Sequence, residues 1–137
     1  MAKDLIVQSV CDLKDVTLVG NIELDPEGWA ATVDKLNQRG WNVKIIDPNH
    51  SSGEFHGQSV YSHPWDITDD VPVLHLMDTS EKSRWLGLCS QRMETRGDVQ
   101  VIWLNEGTAV TQQDREDFLA FGWDLLENTT VMSSKFE

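Results

Sequence analysis

The chain is poor in cysteine, in basic residues and in long apolar runs, and each shortage removes a class of protein. Its two cysteines, Cys11 and Cys89, stand far apart in the sequence, so they form no short-spaced redox or zinc pair and no disulfide framework. Both are expected to be reduced. Only 11 lysines and arginines face 23 aspartates and glutamates, a formal charge of -12 at neutral pH. A surface of that sign repels nucleic acid and anionic membrane, and neither is an expected partner. No stretch approaches the roughly 20 apolar residues of a membrane span, and the N-terminus lacks the basic, apolar, small-residue order of a signal peptide. The expected location is the cytoplasm.

The parts of a catalytic apparatus are missing as well. No serine sits in a nucleophile elbow, no cysteine has a basic neighbour, and no lysine follows a phosphate loop. Nucleophilic and phosphoryl-transfer mechanisms therefore lack their components, and no catalytic residue is expected. His50, His56 and His63 lie with Asp66, Asp69 and Asp70 in one polar segment. Imidazole with carboxylate suits a transition metal, but the spacing is irregular, and the segment reads as solvated loop rather than as a metal site.

What is present is enough apolar material for one ordinary core: 39% of 137 residues are hydrophobic, which fits one domain over residues 1–137. Val16-Thr17-Leu18-Val19-Gly20 is a short β-branched run closed by glycine, the pattern of a fully buried parallel strand. Asp25-Pro26-Glu27 then supplies an N-cap, a proline at the first helical position and an acidic first turn. Trp29, Val33 and Leu36 repeat at helical spacing until Gly40. Trp41 to Ile46 reads as a second strand, stopped by Asp47-Pro48-Asn49 because proline gives no ladder hydrogen bond. Residues 50–71 form a long connection, structured only in part, in which Ser59-Val60-Tyr61 can pair briefly as a strand.

Val73-Leu74-His75-Leu76-Met77 is the third strand, with His75 read as a core or edge histidine holding one hydrogen bond. Asp78 with Glu81 opens a helix carrying Trp85, Leu88 and Met93 that ends near Gly97. Val99 to Leu104 is the fourth strand. Thr111 with Asp114 begins a last helix whose Phe118 and Phe121 face inward until Gly122, and Trp123 to Glu127 is a short fifth strand. Leu5, Ile6 and Val7 near the start fit either an extra helix or an extra strand, an irregular N-terminal extension. Strands alternating with helices imply an α/β fold, a mostly parallel five-stranded sheet covered on both faces in three αβα layers.

In that order the strand, turn and helix from Val16 to Gly40, the run Gly40-Trp41-Asn42-Val43-Lys44-Ile45-Ile46-Asp47-Pro48, the element Gly57-Gln58-Ser59-Val60-Tyr61 with Asp66-Ile67, and Val101-Ile102-Trp103-Leu104-Asn105-Glu106-Gly107 resemble the small CoA-binding-domain proteins. These are related to the nucleotide-binding domain of succinyl-CoA synthetases. The resemblance runs over roughly residues 15–130 and implies a five-stranded Rossmann-like fold able to hold the ADP part of CoA at the carboxyl ends of the strands; CoA or another adenine nucleotide is the expected ligand. The family's tripeptide of asparagine or aspartate, arginine and cysteine stands here as Asn128-Thr129-Thr130, without the basic or thiol group.

In open parallel sheets the ligand crevice lies outside the carboxyl ends of the strands, where the strand order reverses. Gly20 and Asn21, Asp47 and Pro48, Asp78 and Thr79, and Asn105, Glu106 and Gly107 are therefore the candidate cofactor-binding residues. Each has a plainer reading. Gly20 suits a tight turn, Asp47 before Pro48 is a common turn, and Asn105-Glu106-Gly107 can merely end a strand. The first turn, Gly20-Asn21-Ile22-Glu23-Leu24-Asp25, brings one glycine and two carboxylates where a pyrophosphate would seek free N–H groups. If Asp25 caps the helix it occupies those groups itself, and Glu27 adds repulsion of roughly a kcal/mol. The expectation is thus a small-molecule binding protein. Its alternative is a scaffold that has lost nucleotide binding and meets a protein partner through its acidic surface or through Trp65. Exposed sheet edges or helices would also permit a homodimer.

Overall fold

The computed structural model describes residues 2–50, 53–63, 66–77, 98–105 and 110–131. In chain order the elements are α1 (Ala2–Leu13), β1 (Asp15–Val19), a 3-10 turn (Ile22–Leu24), α2 (Pro26–Gln38), β2 (Asn42–Ile46), β3 (Glu54–Phe55), β4 (Gln58–Tyr61), β5 (Val73–Leu76), β6 (Val101–Leu104), α3 (Gln112–Phe121) and β7 (Asp124–Leu126). The helix expected from Asp78 to about Gly97 and the residue Trp65 lie outside the described residues. Among those described, no helix is long and apolar enough to cross a membrane.

The strands form one sheet in the order β3-β4-β2-β1-β5-β6-β7. Every pairing is parallel except that of β3 with β4. The α/β, mostly parallel, Rossmann-like architecture expected from the sequence is what the chain adopts, with seven strands among the described residues in place of five. The two additions come from the polar connection after β2. There Ser59-Val60-Tyr61 does pair, within β4, and Glu54-Phe55 folds back on it as an edge hairpin.

Alternate residues along each central strand go to opposite faces, and both faces are buried. Val16, Leu18, Val43, Ile45, Val101 and Trp103 join one apolar cluster with Val7 and Val10 of α1 and Trp29, Val33 and Leu36 of α2. Val19, Ile46, Leu74, Leu76, Ile102 and Leu104 join another with Ile67, Val71 and Phe118 of α3. Strands buried on both sides need continuous apolar runs, which is why this sheet shows little alternation in sequence.

Helix ends are set by local chemistry. Asp25 caps α2 by accepting from the Gly28 N–H (3.1 Å), with Pro26 at the first helical position. Thr111 and Asp114 form a reciprocal capping box at α3, each side chain accepting the other's backbone N–H at 3.0 Å. Gly122, at φ 74°, ends α3 in the left-handed conformation that glycine adopts without strain. The N-terminal extension is a helix. Val7 and Val10, one turn apart, bury themselves in the core, and Lys14 at φ 49° turns the chain into β1.

Candidate ligand-binding site

From β1 the chain passes through α2 to β2 on one side, while β5 lies on the other side of β1. The sheet therefore has its switch point between the carboxyl ends of β1 and β5, which leaves a crevice there. A cleft of about 230 Å³ lies at this edge. Asp25, Gly28, Trp29 and Thr32 line it from α2, at the i, i+3, i+4, i+7 spacing of one helix face. Leu24 comes from the 3-10 turn, Met77 from just beyond β5, and Asn105 from just beyond β6.

Thr130 closes the far side. It is held there because the segment after β7 folds back over β6: the Trp103 indole N–H donates to the Thr129 carbonyl (2.7 Å), and Val131 is buried in the core. The tripeptide Asn128-Thr129-Thr130 singled out in the sequence thus reaches the cleft, with Thr129 buried and Thr130 on the wall.

Asn105 is fixed by its own neighbours. Its backbone N–H donates to the Leu76 carbonyl (3.2 Å) and its side-chain amide N–H to the Met77 carbonyl (3.1 Å). That leaves Oδ1 buried without a hydrogen-bond partner among the described residues. One layer below, His75 and Trp103 sit side by side in register, two residues before Met77 and Asn105, with rings stacked at 4.1 Å and 14°. His75 is fully buried and its Nδ1 lies 3.1 Å from the Trp103 carbonyl. A carbonyl accepts only from N–H, so Nδ1 carries the proton and Nε2 is an acceptor, also without a partner among the described residues. Burial pulls the His75 pKa down to about 4, which keeps the ring neutral.

Of the residues expected at the site, Asn105 lines the cleft. Gly20, Asn21, Asp47 and Pro48 do not; they form a bonded corner beside it. The Asp47 carboxylate accepts from the backbone N–H of Ile22 and of Asn49, both at 2.9 Å, and the Asn49 side-chain amide donates to Asn21 Oδ1 (2.9 Å). Gly20 is buried, its N–H on the Ile46 carbonyl (3.2 Å). Asp78, Thr79, Glu106 and Gly107 lie outside the described residues. The helix positions Gly28, Trp29 and Thr32, and Met77 at the strand end, were not expected as lining. The signal for the first three was the helical spacing from Asp25, which the sequence equally explains as a core-facing stripe.

Two histidines of the polar connection make contacts within the chain. The His50 ring meets the Glu54 carbonyl (2.8 Å), and His56 Nδ1 lies 3.2 Å from Asp34 Oδ1 at the surface. Among the described residues no three histidine, cysteine, aspartate or glutamate side chains come together in a group able to hold a metal. Cys11 is a free, half-buried thiol whose pKa is raised by burial and then by Asp12, away from the reactive thiolate.

No protein-family profile and no curated protein matches the chain. Solved structures do. A hypothetical protein from Pyrococcus horikoshii OT3 is similar at a TM-score of 0.76 and 19% identity, covering 94% of this chain and 87% of its own. The structure of cell-free ID.343 from Thermus thermophilus is similar at 0.76 and 15%, covering 94% and 93%. A conserved hypothetical protein from Pyrococcus furiosus is similar at 0.67 and 19%, covering 86% and 96%. At these identities the likeness is one of fold.

Proposed function

We propose that the chain is a non-catalytic small-molecule binding protein whose site is the cleft between α2, β5 and β6, with CoA or another adenine nucleotide as its ligand. The observation that carries this reading is the position of the cleft at the switch point of a parallel sheet, where α/β folds of this kind seat their ligands. Trp29, Leu24 and Met77 offer an apolar wall, and Asn105, Thr32 and Thr130 offer hydrogen bonds. The resemblance to small CoA-binding-domain proteins supplies the choice of ligand, and it is an argument from likeness.

A second reading is favoured by one observation. Asp25 occupies the Gly28 N–H at the start of α2, so a carboxylate stands where a pyrophosphate would bind. Under this reading the scaffold has given up nucleotides and uses its acidic surface with a protein partner. Isothermal titration with CoA, acetyl-CoA, ADP and NAD at fixed moderate salt separates the two. Saturable micromolar binding of CoA supports the first reading, with tighter binding after Asp25→Ser, which keeps a cap and removes the charge. Silence across the panel, before and after that substitution, rules the first reading out.

A further inference from the structure

Resting on the reading of the cleft as a ligand site, we propose that residues 127–131 are a gate on it, latched by Trp103 and released when the buried ring of His75 takes up a proton. The closed cleft measures about 230 Å³, below the roughly 300 to 1,000 Å³ of a site that encloses a small organic ligand. Its far wall, Thr130, stands on a segment outside the helices and strands. Asn128, left-handed at φ 51°, turns that segment back after β7. Both ends are fixed, since Glu127 accepts from the Arg115 guanidinium of α3 (3.1 Å) and Val131 is buried in the core. Between them the Trp103 indole N–H holds the Thr129 carbonyl at 2.7 Å in a buried setting. Losing this bond unlatches the middle of the segment while its ends stay in place, and the wall moves with it.

The latch stands on a titratable group. Its indole ring is stacked on His75 at 4.1 Å, and the His75 Nδ1–H donates to the Trp103 carbonyl (3.1 Å). Nε2 is buried with no partner among the described residues, so a proton there makes a cationic donor without an acceptor in a dry layer. Leu18 of β1 is in register with His75, and the helices over this face of the sheet contribute apolar side chains. The described charged groups on the elements around it are Asp12 of α1, Glu27, Asp34 and Lys35 of α2, Asp15 of β1, which pairs with Lys44, and Glu127 of the gate. None of them moves the titration of His75, which burial alone pulls down to about 4. An open gate admits water to the ring, which then titrates near its ordinary value of 6.5. The closed form refuses the proton and the open form accepts it, so opening is favoured as pH falls below that value.

Hydrogen exchange of the Trp103 indole N–H reads the latch. Exchange of the Met77 backbone N–H, on the Val19 carbonyl at 2.9 Å, reads the fold. Both are followed by NMR on the full chain and corrected for the intrinsic effect of pH on exchange. The indole should open more readily than Met77 near neutral pH. Its opening should then rise about twentyfold between about pH 7 and about pH 5, the factor that values of 6.5 open and about 4 closed require. His75→Phe keeps a ring against Trp103, removes the titrating group and should abolish the rise. An indole that opens only together with Met77, an opening indifferent to pH, or the same rise in His75→Phe would overturn the proposal. The parent chain alone decides the first two, so a variant that fails to fold does not spare it. No ligand enters the measurement. Absence of CoA binding therefore removes the nucleotide reading and leaves the gate standing, and a failed gate leaves that reading standing.

Discussion

The carboxylate of Asp47, at the end of β2, holds the backbone N–H of Ile22, 25 positions earlier in the chain, at 2.9 Å in a buried setting. Its other oxygen holds the Asn49 N–H at 2.9 Å, and the residue is only 1% exposed. One side chain thereby ties the turn after β1 to the turn after β2. Asp47→Ala should cost about 2 to 4 kcal/mol, since it strands two backbone donors that bonded to a charged group. Asp47→Asn, which retains a single carbonyl acceptor, should lose about half of that. Urea unfolding of the two variants measures this, and equal stability of Asp47→Ala and the parent would remove the tie.

Gly28 is required by the Asp25 cap rather than by its own backbone. A Cβ added at Gly28 would overlap the Asp25 carboxylate. Glycine to alanine within a helix ordinarily gains up to about 1 kcal/mol, and loss of an aspartate cap costs a similar amount. Gly28→Ala alone should therefore leave stability near that of the parent, whereas in an Asp25→Ala background it should stabilise. A double-mutant cycle should give a coupling of about 1 kcal/mol between the two positions. Simple additivity would show that the cap and the glycine are independent.

The central strands and the two helices α2 and α3 were legible because each rests on a short-range signal. These are buried apolar runs for β1, β2, β5 and β6, Asp25-Pro26 for α2, and Thr111 with Asp114 for α3. The β3–β4 hairpin was harder to see. Its residues are half-buried or exposed, so they carry no apolar run, and its two-residue turn is His56-Gly57. Both turn residues have positive φ, 47° and 81°, where asparagine-glycine is the usual signature. Helix α1 was ambiguous because Leu5-Ile6-Val7 is a contiguous triplet. Only Val7, of these three, is buried, with Val10 one turn on, while Leu5 stays 70% exposed. The location of the cleft followed from topology, but its walls did not. Thr130 reaches it through the hydrogen bond of Trp103 to Thr129, a contact 26 positions apart that no local pattern announces.

Lys44 is a buried cation inside the sheet, 6% exposed. Its ammonium lies 3.2 Å from Asp15 Oδ1 and donates to the Asp70 carbonyl at 3.2 Å. Removing one partner of such a pair strands the other charge, while replacing the cation by an apolar chain of similar length does not. Asp15→Ala should cost about 3 kcal/mol and Lys44→Met markedly less. The reverse order in denaturant unfolding would mean that Asp70 alone satisfies the lysine.

Thr17 is paired in register with Lys44, fully buried, and its hydroxyl has no hydrogen-bond partner among the described residues. A valine there keeps the shape and removes an unsatisfied polar atom. Thr17→Val should raise stability by about 1 kcal/mol and the melting temperature accordingly. A drop of similar size would point to an ordered water on the hydroxyl.

His75 makes stability depend on pH in a defined window. In the folded chain burial lowers its pKa from 6.5 to about 4, while in the unfolded chain the ring titrates near its ordinary value. Above that value both states are neutral and the ring adds no pH dependence. As pH falls below it the unfolded chain takes up a proton that the folded chain refuses, so stability is lost steadily until the folded ring also protonates near pH 4. The 2.5-unit gap corresponds to about 3 kcal/mol at the acid end. His75→Leu removes the titrating ring while leaving an apolar side chain against Trp103, and should flatten the decline by that amount even if it lowers stability at neutral pH. Unfolding free energies of both proteins between about pH 7 and about pH 4.5 decide the matter. Parallel curves would show that His75 gains a proton in the folded state as readily as in the unfolded one, and that its Nε2 finds an acceptor when it does.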